Sequence, residues 1–168
     1  MDGSKKHLTA VRKGSIIHLM KRKKQIKVVQ DVIYMVAAYF NLDVDLEITV
    51  GKLPWEHDAE LGMECRGFYC MEFNKDFLTS ASIEDIIRVS AHEMVHVKQH
   101  ELEGLELTPT QSFFRGQKWL GDYWFSPWEV EARGYELAFL QHYLHLSLIH
   151  ISEPTRRYAI SYAVFCLK

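Results

Sequence analysis

Long apolar runs are absent from this chain of 168 residues, so it holds no stretch of about 20 residues able to cross a bilayer as a helix. Its opening residues, Met1 to Lys6, lack the apolar segment of a secretory signal, which predicts a cytosolic site of action and no membrane partner. Cysteine is scarce. Cys65 and Cys70, separated by four residues, are expected as free thiols in such a compartment rather than as a disulfide, and no second pair accompanies them to complete a metal site. An excess of positive charge is also missing: the formal net charge is -2, which disfavours a chain built chiefly to bind nucleic acid. What remains, 48% hydrophobic and 25% charged, suits one soluble domain with a sizeable core.

Residues 146–168 need separate treatment. Leu146 to Arg156 resembles the translation of a transposase-type sequencing adapter, and Ile160 to Leu167 that of the flow-cell end of such a library. Arg157, Tyr158 and Ala159 fill the space an index would occupy between them. The expectation is a single domain over residues 1–145, truncated near His145, followed by a tail whose secondary structure has no evolved purpose. That tail takes three of the 20 basic residues and one of the 22 acidic ones, leaving 17 against 21, so the domain itself is mildly acidic.

The most basic stretch ends in Lys21, Arg22, Lys23 and Lys24 and reads either as a nucleic-acid patch or as a solvated helix face. No nucleic-acid motif accompanies it, so the solvated face is preferred. From Ile26 onward, Ile26, Val29, Ile33, Val36, Ala37 and Phe40 recur at intervals of three and four, predicting an amphipathic helix that Asn41 closes. Asp45 to Leu53 alternates instead, with Leu46, Ile48 and Val50 on one face and Glu47, Thr49 and Gly51 on the other, as in a half-buried strand ended by Pro54. Two short strands, around Leu61 to Cys65 and Phe68 to Phe73, are expected to meet at a turn near Arg66 and Gly67.

Ser82, followed by Glu84 and Asp85, marks a helix start, and Gly104 marks its stop. Between them Ile83, Ile86, Ile87, Ser90, Met94 and Val97 form the expected inward face. On this helix stands the run His92, Glu93, Met94, Val95, His96. Residues four apart share one helical face, so His92 and His96 can grip one metal ion with Glu93 beside it. A catalytic zinc keeps one position for water, and a carboxylate within reach can take that water's proton as it attacks a carbonyl. This is the H-E-x-x-H pattern of zinc metalloproteases, with one Zn2+ ion as the expected cofactor. A solvated His/Glu face is the bland alternative, and the apolar flanks speak against it. His100 continues the stripe but lies two turns, or about 12 Å, beyond His92, too far to share the ion. The glycine and third histidine of the longer metzincin pattern are absent, since Lys98, Gln99 and Leu102 occupy that stretch.

Leu105 to Phe125 has no clean periodicity; its aromatics, among them Phe114, Trp119, Tyr123, Trp124 and Phe125, either cover a cleft or plug the core. Ser126 and Pro127 then start another helix, running through Ala132, Tyr135 and Phe139. Glu129 and Glu131, two apart near its start, point to different sides, so only one can readily reach the ion. Ser126 and Glu129 also have the spacing of a capping box, in which Glu129 would bond back to the Ser126 N–H and leave Glu131 as the ligand.

H-E-x-x-H followed by Trp128, Glu129, Glu131, Ala132 and Tyr135 resembles the gluzincin group of zinc peptidases, in particular its compact ImmA/IrrE-like and phage-encoded minigluzincin members. The resemblance covers residues 45–145. It implies Glu129 as third ligand, Ala132 as a small packing residue and Tyr135 as the aromatic that follows. Arg133 stands where many members carry Asp or Asn, a position concerned with orienting a histidine. A histidine as third ligand, at His142 or His145, would instead match SprT-like DNA-associated proteases. The implied fold is α+β and zincin-like, with an N-terminal helix, a small sheet of three to four strands, an active-site helix and a C-terminal glutamate-bearing helix. The exposed edge of such a sheet can pair with an extended substrate backbone.

The implied activity is that of a zinc metalloendopeptidase acting on a protein or peptide substrate, in the host cytoplasm if phage-encoded. Glu93 would be the general base, His92, His96 and Glu129 (or Glu131) the ligands, and Tyr123 or Tyr135 the oxyanion donor. A reading from another class is a zinc-stabilised regulatory or nucleic-acid-binding module without turnover, contacting its partner through the Lys21 to Lys27 patch. An intact Glu93 speaks against it, because a structural zinc site has no need of a general base.

Overall fold

The computed structural model describes residues 13–54 and 57–152, with side chains from residue 23 to residue 147. The fold is α+β. Helix α1 (Lys13–Phe40) buries the stripe Val28, Val29, Val32, Ile33 and Val36. It starts well before Ile26 and so carries the basic stretch, with Lys23 and Lys24 exposed; the side chains of Lys21 and Arg22 lie outside the described ones. Asn41 closes the helix at a φ of 53°, a left-handed conformation that a short polar side chain tolerates.

Strands β1 (Asp45–Gly51), β2 (Ala59–Cys65) and β3 (Phe68–Asn74) form a sheet in the order β1-β3-β2, with β1 parallel and β2 antiparallel to the central β3. Alternation puts Tyr69, Met71 and Phe73 of β3 on the core face, fully buried, with Leu46 and Ile48 of β1 in register beside Tyr69 and Met71. Gly67 turns the chain between β2 and β3 at a φ of 84°, where a Cβ would be strained. Cys65 and Cys70 pair with Phe68 and Gly62 rather than with each other, and both are free thiols. Asn74 then caps a short helix, α2 (Lys75–Ser80), its side-chain oxygen accepting the Asp76 N–H at 3.0 Å. Six residues give too few turns to register as periodicity, and the sequence reading passes over this element.

Helix α3 (Ile83–Leu102) begins at Ser82, whose hydroxyl accepts the Asp85 N–H at 3.0 Å, and is followed by Gly104 at a φ of 64°. Ile86, Ile87, Ser90, Met94 and Val97 are buried as expected. Ile83 is not: as the first helical residue it sits at the rim of the core and is 36% exposed. The main sheet stays at three strands. The segment without periodicity forms a second antiparallel sheet of β4 (Glu106–Leu107), β5 (Ser112–Phe114) and β6 (Gln117–Trp119), then a 3-10 turn at Tyr123–Phe125. Strands of two or three residues are too short to alternate legibly. The aromatics there divide: Phe114 and Trp119 pack on Trp128, whereas Tyr123, Trp124 and Phe125 stay exposed.

Helix α4 (Pro127–Ser152) packs antiparallel to α3, matching Arg88 with Glu136, His96 with Glu129 and Gln99 with Trp128. It crosses the Leu146 boundary, and residues 153–168 lie outside the described ones. Among the described residues no helix is long and apolar enough to cross a membrane.

Glu101 ties the end of α3 to the sheet. Its carboxylate accepts the Gly67 N–H at 2.7 Å and the Tyr69 hydroxyl at 2.6 Å, with the Arg66 guanidinium at 3.5 Å. Burial alone would raise its pKa, but these donors outweigh burial and hold the carboxyl below its ordinary 4.5. Glu101→Ala is expected to cost about 2 kcal/mol, read as a lower urea midpoint. A depressed folded-state pKa means the contribution is complete above pH 4.5 and is lost as pH falls through the lower folded value. The gap between the two proteins should therefore close in acid; a gap that persists there would show that ionisation of Glu101 plays no part.

Candidate metal centre

The α3 stripe that faces α4 reads Arg88, His92, His96, four residues apart each time, and α4 answers with Glu129 and Glu136, seven apart on one face. Both histidines turn Nε2 toward the same point. Those two nitrogens are 3.1 Å apart, and the Glu129 carboxylate lies 3.3 Å from His96 Nε2 and 3.6 Å from His92 Nε2. A tetrahedral divalent ion with bonds of about 2 Å sets its donors about 3.3 Å apart. The three side chains thus form a group that could hold one metal ion, all ligand atoms lying within 4.8 Å of one another. Two imidazoles and one carboxylate suit a borderline-soft cation, and three protein donors leave a position open.

The cluster borders a cleft of about 520 Å³ whose wall includes His92, Glu93, Tyr123, Trp124, Glu129 and Glu136. Val89 and the chain at His57, Asp58 and Ala59, leading into β2, complete it, and among the described residues β2 is an edge strand paired only to β3. Burial pushes the Glu93 carboxyl above its ordinary range; His96 and His92 pull it back, while Glu129 and Glu60 push it further up. Glu129 is nearly inaccessible, its side chain 3% exposed, yet burial is outweighed by hydrogen bonds from His92, His96 and Tyr123, which hold it ionised well below the usual carboxylate range. Burial works to lower the His92 pKa, but contacts with Glu129 and Glu136, and then the Glu93 charge, raise it to about 9. A metal must displace that proton, so loading weakens in acid.

Compared with family models, curated proteins and solved structures, the chain matches none.

The two glutamates of α4 part company. Glu129 enters the cluster, and its N–H donates over a long 3.4 Å to the Ser126 hydroxyl. The reciprocal half of the capping box is not formed, because the Ser126 N–H donates to the Tyr123 carbonyl at 3.0 Å. Glu131 points elsewhere, to Lys98 Nζ at 3.0 Å, Gln99 Nε2 at 2.8 Å and Arg115 at 3.4 Å. His100 Nδ1 donates to the Leu105 carbonyl, 2.7 Å away, and His142 and His145 are exposed outside the cluster. Tyr123 bonds through its hydroxyl to Glu129, and burial, then that bond, raises its pKa and keeps the phenol a donor. Tyr135 is half-buried against the core, packed on Phe40 and Phe139.

Among the residues around the ligands, sequence reading missed Glu136 and Arg88. Glu136 lies 3.4 Å from His92 Nδ1, an ion-pair distance at which the ring is not aligned for a full hydrogen bond, and Arg88 grips it at 2.6 Å. Arg133 lies 3.7 Å from Glu129 and stacks its guanidinium 4.7 Å over the Trp124 ring. The i+7 spacing from Glu129 to Glu136 was the available signal for the first of these.

Proposed function

We propose that the protein is a zinc-dependent metalloendopeptidase. The observation that supports this most is the convergence of His92, His96 and Glu129 at a cleft wall that also presents Glu93 and Tyr123. When bound, zinc supplies a Lewis acid for the scissile carbonyl and lowers the pKa of a water.

The chain's own residues do the rest. Glu93 takes the proton of the attacking water and delivers it to the leaving amine; its raised pKa makes it the stronger base. Tyr123, half exposed at the cleft wall with its hydroxyl on Glu129, offers that hydroxyl to the developing oxyanion by exchanging one acceptor for the other. The open edge of β2, which leads out of the cleft, gives an extended substrate backbone N–H and C=O groups to pair with. The zincin-like description of the fold belongs to the same proposal, since helix, edge strand and second helix supply base, substrate rail and third ligand in turn.

The test is metal dependence. Cleavage of an unstructured protein should stop when a chelator strips the chain and return with a stoichiometric amount of zinc. Cleavage undiminished in a chain shown to be metal-free would overturn the proposal.

A further inference from the structure

We propose that Gln99, outside the H-E-x-x-H run, is the positioning residue that locks His96 in its Nε2-ligating tautomer, and that Glu131 fixes Gln99 in turn. The assignment rests on the metal-centre reading above. A side-chain amide is ambiguous by itself, since its oxygen and nitrogen can exchange places. Here the surroundings decide. Gln99 is fully buried, and its Nε2 donates to two acceptors, the Trp128 carbonyl at 2.9 Å and the Glu131 carboxylate at 2.8 Å. Both of its protons are used, and the reversed amide would set an oxygen against two oxygens. Oε1 must then face His96 Nδ1, 2.8 Å away.

An amide oxygen only accepts, so Nδ1 must carry a proton, and whenever the ring is neutral Nε2 keeps its lone pair, aimed at His92 and Glu129. Glu131 is itself pinned by Lys98 at 3.0 Å and Arg115 at 3.4 Å, so the order of the chain of contacts runs from two cations through a carboxylate and an amide to the ring. The second acid of the Glu129–Glu131 pair would thereby act on an ion through two residues, Gln99 and His96, which accounts for a carboxylate held beside the site without facing it.

The experiment uses the full chain with 15N-labelled histidine, as wild type, Gln99→Ala and Glu131→Ala. In the zinc-free wild type, ring 15N shifts should report a single Nδ1–H tautomer for neutral His96; Gln99→Ala should give a mixture. Zinc affinity, from competition with a chromophoric chelator, should fall by about 10- to 100-fold in Gln99→Ala, and by less in Glu131→Ala, whose amide keeps one anchor at Trp128. If Gln99→Ala does not fold, the loosened tautomer and weaker zinc binding of Glu131→Ala carry the test. An unchanged tautomer and unchanged zinc affinity in a folded variant would overturn the assignment. Because the tautomer is read without metal, a wild type that holds it and binds zinc but cleaves no peptide overturns the peptidase reading alone.

Discussion

Glu93→Gln should keep its zinc and its unfolding midpoint while losing turnover by about 1,000-fold. The amide has nearly the shape of the carboxylate, and Glu93 is not in the group His92, His96 and Glu129 that could hold the ion, so nothing that binds metal is removed. What disappears is a proton acceptor inside a cleft where burial has raised the basicity of the acid. Tyr123→Phe provides the contrast. It leaves the base intact and removes one donor, for a fall of about 100-fold, seen in kcat more than in KM. Metal content per chain and hydrolysis of a quenched-fluorescence peptide measure both. Equal cleavage by wild type and Glu93→Gln would show that the proton goes elsewhere, and an unchanged kcat in Tyr123→Phe would remove the phenol from the reaction.

The second large effect separates the two glutamates of α4. Glu129→Ala takes one of three donors from the cluster, and its loss of zinc affinity should exceed the roughly 100-fold typical of removing a supporting residue. Glu131→Ala should still fill with one zinc at saturating metal. It leaves Lys98 with Glu103 at 2.7 Å as its remaining partner, so its cost appears chiefly in stability and in a modest weakening of affinity. Metal analysis after gel filtration with matched zinc distinguishes them. Retention of zinc by Glu129→Ala together with loss from Glu131→Ala would reverse the ligand assignment.

Much of this arrangement was legible in the residues because it is local. The histidines are four apart, the caps at Ser82 and Ser126 are three and one residues from the features they set, and β1 alternates cleanly. Those patterns depend on the period of one helix or strand and survive without knowledge of the fold. Other features depend on which helix faces which. Whether Glu129 or Glu131 meets the histidines turns on the rotation of α4 about its own axis, which the Trp128 indole sets by burying itself against Phe114 and Trp119. The same rotation puts Glu136 beside His92 and sets Tyr135 against the core. Segments too short for a period to develop, α2 and the strands β4 to β6, were unreadable for a simpler reason.

Two donors of the cluster belong to α3 and the third to α4, 33 positions after His96. An ion held there would therefore be a cross-link as well as a cofactor, closing one long loop in the manner of a reversible disulfide. Loop-closure entropy grows only slowly with length, so insertions between the helices would cost little, provided Trp128 keeps its seat. The number of residues separating the motif's two halves is then a poor guide to kinship among such chains, and the rotational setting of the second helix a better one.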